Sequence, residues 1–233
     1  KIELCLHLLR STINGRIIIF RRTKYGVDKL EQTLLKNNYK VDSIHGDKSQ
    51  VNRERILADF SSGRLHFLVA TGIAARGIDI HALERVVNYD LPFKPDDYIH
   101  RIGRTGRAGK QGIACSLLTE QERYKLAQLE AYLGHDITTE PLPPESWLDK
   151  PALRPNMATL QIDGGKKQKV RAGDIVGALT GQQGINGKDI GKIQLFDNWA
   201  YVAVAQHAAK TALQKLSEGK LKGRSFRVRR IRG

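Results

Sequence analysis

Cysteine is scarce in this chain: only Cys5 and Cys115 occur among 233 residues, far apart and each within an apolar stretch. Neither a disulfide framework nor a paired-thiol metal motif is expected from that usage, no metal-ligating residues are singled out, and a reducing cytoplasm fits best. Long apolar runs are also missing. None approaches the roughly 18 to 20 residues that cross a bilayer, so no membrane or signal segment is expected. A phosphate-cradling GxxxxGK[ST] loop is absent too. Gly109-Lys110-Gln111 and Gly187-Lys188-Asp189 lack both the upstream glycine at the required spacing and the hydroxyl residue, and no acidic Mg²⁺ site with a water-positioning residue can be picked out. The chain opens on Lys1 rather than Met, directly in the apolar pattern Ile2, Leu4, Leu6, Leu8, Leu9. That reads as a truncated beginning.

What is present is the composition of a soluble globular protein, 40% apolar and 27% charged, with length enough for two ordinary domains. Net charge is +15, unevenly spread. From Met157 onward there are fifteen Lys/Arg against five Asp/Glu, a net +10, which leaves +5 for the longer first part. Basicity concentrated in this way favours a polyanionic partner, through phosphate neutralisation and counterion release.

Short β-branched runs alternate with longer polar segments through residue 118, the pattern of a parallel sheet covered by helices. Strands are predicted at Arg16–Phe20, Val41–His45, Phe67–Thr71, Arg85–Tyr89 and Gly112–Leu118, giving a doubly wound α/β lobe over 1–133. Ligands of such sheets gather beyond the carboxyl ends of the strands. A Thr119-x-x-Glu122 capping box predicts a further helix with Leu126, Leu129 and Leu133 on one face and Gly134 at its end. Five of the seven prolines, Pro141, Pro143, Pro144, Pro151 and Pro155, then mark 134–156 as an aperiodic linker. From 157 to 233 the predicted order is strand, helix, strand, strand, helix, strand, the split βαβ arrangement that includes the RNA recognition motif. Ala205, Ala208, Ala209, Ala212, Leu213 and Leu216 form the buried stripe of its second helix.

Two segments carry chemistry. Arg101, Arg104 and Arg107 recur every three residues among glycines in HRIGRTGR (100–107), a self-repelling cluster that awaits an anion. Upstream, ATGIAARGIDI (70–80) follows an apolar strand. A hydroxyl and exposed backbone N–H groups at a strand top suit a phosphate, and a nearby carboxylate suits a ribose hydroxyl pair. Thr71 and Asp79 would alternatively cap the turns that follow them.

These two segments resemble motifs VI and V of the DEAD-box RNA helicases. Ile17–Phe20 with Arg21-Arg-Thr23 resembles motif IV, and His45-Gly-Asp-x-x-Gln50-x-x-Arg53 resembles the QxxR motif. The resemblance spans residues 1 to about 133 and implies the second RecA-like lobe of an ATP-driven motor whose first lobe is missing. It implies that Arg104 and Arg107 reach the γ-phosphate of ATP bound to the other lobe, with Arg107 as arginine finger. It implies that Asp79 holds the ribose with Gly77 giving room, and that His100 and Arg101 couple the lobes. Thr23, Gln50, Arg53, Thr71 and Gly72 would contact the RNA sugar-phosphate backbone. Gly72 stands where many members of the family have Asp, so a side-chain contact made there in relatives is lost. ATP and Mg²⁺ are expected in the full-length enzyme and neither is expected to be held stably by this chain alone, which finishes an active site without constituting one.

The tail, from Thr159-Leu-Gln-Ile-Asp-Gly-Gly-Lys-Lys to Lys220-Leu-Lys-Gly-Arg224, resembles the RNA-recognition-motif-like domain of the DbpA group of bacterial DEAD-box proteins. That resemblance implies recognition of a hairpin of large-subunit ribosomal RNA, a pre-50S ribosomal particle as partner, and a role in ribosome assembly. Strand alternation sets Trp199 and Tyr201 on the sheet face opposite Ala200, Val202 and Val204, where they would form a stacking platform joined by Arg227 and Arg229. Asp197 replaces the usual basic start of that strand's motif, and Gln161 the usual aromatic. Binding through loops by Lys166, Lys167, Lys188, Lys220, Lys222 and Arg224 therefore stands as an equal expectation. The rival to an enzyme part is a pure RNA-binding module or chaperone without ATP, for which Asp79, Arg104 and Arg107 would have no use.

Overall fold

The structure, a computed structural model, describes residues 1–11, 15–75, 83–106, 112–141, 144, 146 and 155–231. The chain divides into two compact units, Lys1–Ser49 with His66–Arg154 and Gln50–Leu65 with Pro155–Gly233.

In the first unit, five strands form one sheet in the order β2-β3-β1-β4-β5. They are β1 (Ile17–Arg21), β2 (Val41–Ile44), β3 (Phe67–Thr71), β4 (Arg85–Asn88) and β5 (Ile113–Ser116), and every pairing is parallel. β1 and β3 are β-branched or apolar almost throughout because the central strands of a parallel sheet are buried on both faces. Each lies within a residue or two of its expected place. Helices α1 (Ile2–Arg10) and α2 (Lys24–Lys36) contribute Cys5, Leu9, Val27, Leu30 and Leu34 to a core shared with Ile17, Ile19, Phe67, Val69 and Val87. The remaining α-helices among its described residues are α4 (Pro95–Ile102) and α5 (Arg123–Leu133). The Thr119/Glu122 capping box forms but opens a 3-10 turn, Glu120–Glu122, that leads into α5, and Gly134 ends α5 in the left-handed region at φ 74.

The second unit holds α3 (Gln50–Ser61) and a four-stranded antiparallel sheet in the order β7-β8-β6-β9. Its strands are β6 (Met157–Ile162), β7 (Ile190–Leu195), β8 (Ala200–Ala205) and β9 (Val228–Arg230), with α6 (Ala172–Thr180) and α7 (Ala209–Glu218) between them. The βαββαβ order matches the expectation. Ala158, Leu160, Ile162, Ala200, Val202 and Val204 face a core completed by Ile175 and Leu179 of α6 and Ala212 and Leu216 of α7.

Candidate functional site

The carboxyl edge of the parallel sheet gathers most of the described first-unit residues singled out by sequence. α4 begins on Pro95, whose missing N–H costs nothing at a first helical position, and carries Asp96 and Asp97 in its first turn and His100 and Arg101 in its last. Asp97, His100, Arg101 and Arg104 recur at helical spacing. With Phe20, Gly72 and Ala75 they line a solvent-open hollow of about 260 Å³.

The three positively chargeable residues here differ in burial. His100 is exposed and Arg104 half-exposed, whereas Arg101 is only 7% exposed. Arg101 Nη1 donates to Asn88 Oδ1 at 3.1 Å and to the Asp90 carbonyl at 2.9 Å, and its guanidinium lies 4.9 Å from the Phe20 ring centre. Asn88 and Phe20 are thus site residues that motif reading misses, because nothing in their local pattern signals a buried guanidinium. Arg104 is fixed through its successor. The Thr105 hydroxyl donates to the Leu83 carbonyl at 2.5 Å, and Leu83 N–H donates to the Arg104 carbonyl at 3.3 Å.

Thr71 ends β3 and is nearly buried, and its Oγ1 accepts from Ala74 N–H at 3.4 Å, the turn-capping role. Gly72 leaves room for Arg101: a Cβ there would sit 3.4 Å from Arg101 Nη2. Thr23 is exposed and caps α2, its Oγ1 accepting from Gly26 N–H at 3.0 Å. The hydroxyl proton remains available to an anionic oxygen. Gly77, Asp79 and Arg107 lie outside the described residues.

Gln50 and Arg53 fall in the second unit, on α3, where Gln50 Nε2 donates to Glu54 Oε1 at 2.9 Å. Further along that helix, Asp59 is fully buried and held by Arg64, whose Nε donates at 2.7 Å, and by Arg55 at 3.3 Å. The Ser62 and Thr159 hydroxyls are 3.1 Å apart. Thr159, Gln161 and Tyr201 share the sheet face opposite the core, and all three are buried. Tyr201, expected on an open platform, is 3% exposed; burial, followed by the Asp59 charge, pushes its phenol up to about 12. Trp199 is half-buried, its ring centre 6.5 Å from that of Phe196. Arg229 is exposed, and its Nε donates to Gln161 Oε1 at 3.3 Å; Arg227 is exposed.

Lys166 and Lys167 open a short 3-10 turn, Lys188 sits in another, and Lys220, Lys222 and Arg224 flank the tight turn before β9; all six are exposed. Lys166 and Lys167 are presented by a loop laid against the β7–β8 turn, with Lys166 N–H donating to the Phe196 carbonyl at 2.8 Å and Lys167 N–H to the Asp197 carbonyl at 2.9 Å. Gly165 permits this approach, since a Cβ there would meet Trp199 N at 2.7 Å and the Asp197 carbonyl at 2.8 Å. Among the described residues no cluster of His, Cys, Asp or Glu is able to hold a metal ion, and no helix is long and apolar enough to cross a membrane.

Comparison with known proteins sets these features in a family. The helicase conserved C-terminal domain matches residues 1–109, and the DbpA RNA binding domain matches residues 159–230. The ATP-dependent RNA helicase DbpA of Escherichia coli (strain K12) is 40% identical over 232 residues, covering 100% of this chain and 50% of that protein. Its counterpart in Bacillus subtilis (strain 168) is 36% identical over 248 residues, covering 98% of this chain and 52% of that protein. The chain therefore spans about half the length of these curated relatives. Among solved structures, the E. coli DEAD-box protein SrmB bound to regulator of ribonuclease activity A superposes with a TM-score of 0.58 at 33% identity, covering 66% of this chain and 88% of that one. S. cerevisiae Dbp5 bound to RNA and ADP BeF3 gives a TM-score of 0.56 at 36% identity, covering 64% and 39% respectively.

Proposed function

The chain belongs to the DEAD-box RNA helicases, as a DbpA-type C-terminal part in which a RecA-like parallel-sheet lobe precedes an RNA-binding domain, and from that membership we propose that it completes an ATP-dependent helicase acting on large-subunit ribosomal RNA in the cytoplasm. In this reading the lobe is 1–133, the linker 134–156 and the RNA-binding domain 157–233. The observation that carries the reading is the hollow at the carboxyl edge of the sheet, where the HRIGRTGR segment presents Arg104 and His100 to solvent while Arg101 is turned inward.

In this reading Arg104 and Arg107 face the phosphates of a nucleotide held by a first lobe, Gly77 and Asp79 receive its ribose, and His100 contacts that lobe. Arg101 couples the lobes from within, by fixing the end of α4 against β1 and β4. Bound ATP with Mg²⁺ supplies the phosphoryl chemistry. Two guanidinium groups brought to developing phosphate charge stabilise it without proton transfer, because arginine stays protonated at working pH. Thr23, Thr71 and Gly72 contact the RNA backbone along the sheet edge, and Gln50 and Arg53 do so from α3. Lys166, Lys167, Lys188, Lys220, Lys222 and Arg224 grip an rRNA hairpin in a pre-50S particle. The burial of Tyr201 supports this loop mode over stacking on Trp199 and Tyr201 with Arg227 and Arg229.

A titration of the 233-residue chain with the large-subunit rRNA hairpin and with an unrelated hairpin of equal length, at two salt concentrations, tests the address. Tighter binding of the rRNA hairpin, weakened when Lys220, Lys222 and Arg224 are changed to Ala, is expected. Equal, weak and salt-sensitive binding to both rejects it.

A further inference from the structure

We infer that the surface around Phe93 takes a base of single-stranded RNA continuing from the Thr71–Thr23 edge, an extension that rests on the RNA role proposed above for that edge. The sheet order sets the geometry. β1 lies between β3 and β4, with Arg21 level with Thr71 on one side and Phe20 level with Asn88 on the other. Beyond the strands, Thr71-Gly72, Arg22-Thr23 and the loop carrying Phe93 therefore follow one another along a single edge.

The last two loops are stapled together. Arg22 N–H donates to Asp90 Oδ2 at 3.1 Å, Arg21 Nε lies 3.1 Å from the same oxygen, and Asp90 N–H donates to the Phe20 carbonyl at 3.3 Å. The staple places Arg22 over Phe93, its guanidinium carbon 4.9 Å from the ring centre. Among the described residues the ring, rather than a carboxylate, is the partner of that guanidinium. Lys125 Nζ stands 5.5 Å from the same ring centre and 5.7 Å from that of Tyr124.

Phe93 is 74% exposed and Tyr124 59%, although Leu91, Tyr98 and Leu129 directly beneath are buried in a common cluster. An exposed ring stacked with a guanidinium on a rigid, proline-flanked loop loses little entropy on binding, and it offers both a stacking plane and N–H donors for phosphate. The adjoining groove is shallow, about 270 Å³, and of its two lysines, Lys94 and Lys125, the second is paired with Glu122 at 3.6 Å. An acidic peptide would meet one lysine, Lys94, and no deep hole for a side chain. Flat rings, a stacked guanidinium and continuity with Thr23 favour a nucleotide.

The test uses the 233-residue chain and a short fluorescent oligouridylate at low salt, read by anisotropy, with 4-thiouridine photocrosslinking to locate the contact. Phe93→Ala should weaken binding about fivefold or more, Phe93→Tyr should stay within about twofold of the parent, and the crosslink should fall on residues 91–95. Phe93 is exposed, so circular dichroism of the variants should be unchanged. No adduct at 91–95, or parental affinity for Phe93→Ala while Thr23→Ala weakens binding, overturns the extension and leaves the edge reading intact. If neither substitution changes affinity, the edge reading fails with it. Displacement of the adduct by a Glu/Leu peptide that binds as tightly as the RNA would assign the surface to protein instead.

Discussion

Arg101→Met removes a buried guanidinium while keeping most of its volume, so its cost reports how firmly the HRIGRTGR segment is anchored. Two charge-assisted hydrogen bonds are lost, to Asn88 Oδ1 and to the Asp90 carbonyl, each worth about 1.5–3 kcal/mol. The stacking against Phe20 at 4.9 Å adds about 0.5–2 kcal/mol. Asn88 is fully buried, so water does not replace its lost partner. Allowing for non-additivity among neighbours, the first unit should lose about 3–5 kcal/mol, which at a slope near 2 kcal/mol/M is a fall of roughly 2 M in the urea midpoint. Circular dichroism gives the midpoint, and amide hydrogen exchange in β1 and β4 assigns the loss to this sheet. Arg101→Lys should fall between parent and Met variant. His100→Ala, one residue away but exposed, should stay within about 0.5 kcal/mol of the parent. An unchanged midpoint and unchanged exchange in Arg101→Met would refute the inward-facing role.

Other expectations concern single residues. Gly165→Ala should lower the second unit's stability by about 1–3 kcal/mol because its Cβ would meet the β7–β8 turn, whereas Gly177→Ala, inside α6 with nothing within 4 Å, should raise it by about 1 kcal/mol; thermal midpoints moving in opposite directions check both. The Tyr201 phenol, raised by burial to about 12 from an ordinary value of 10, contributes stability that is complete below pH 10 and lost as pH rises towards 12. A spectrophotometric titration at 295 nm should show a late phenol step that Tyr201→Phe removes. Burial pushes the Cys5 thiol up to about 12, so Cys5 should resist Ellman's reagent at pH 8 until the chain is unfolded; rapid modification of the folded chain would contradict its buried position.

The strands were legible because parallel strands buried on both faces must be β-branched runs, as at Ile17–Ile19 and Phe67–Val69, and the α5 boundaries were legible because Thr119, Glu122 and Gly134 each have one local physical role. α1 is not legible in this way. Its apolar residues alternate over Ile2, Leu4, Leu6 and Leu8, a strand-like period, yet the segment is helical and buries Cys5, His7 and Leu9. Around the hollow, spacing places Arg101 and Arg104 on one segment but does not tell that Arg101 turns inward, since its burial depends on Asn88 of β4 and Phe20 of β1. In the same way alternation correctly set Tyr201 opposite the Val202 face, and it could not tell that this face would be buried. The compact units also depart from chain order, because Gln50–Leu65 groups with the C-terminal sheet, a long-range association that local pattern does not encode.

The proposed role of this chain is to supply the arginines that finish a nucleotide site built elsewhere. Its most direct test is RNA-stimulated ATP turnover by the chain joined to a P-loop-bearing first lobe, measured with and without Arg107→Ala. A fall in kcat of roughly 10³- to 10⁵-fold with hairpin affinity unchanged is expected. Parental turnover in the Arg107→Ala protein would contradict it.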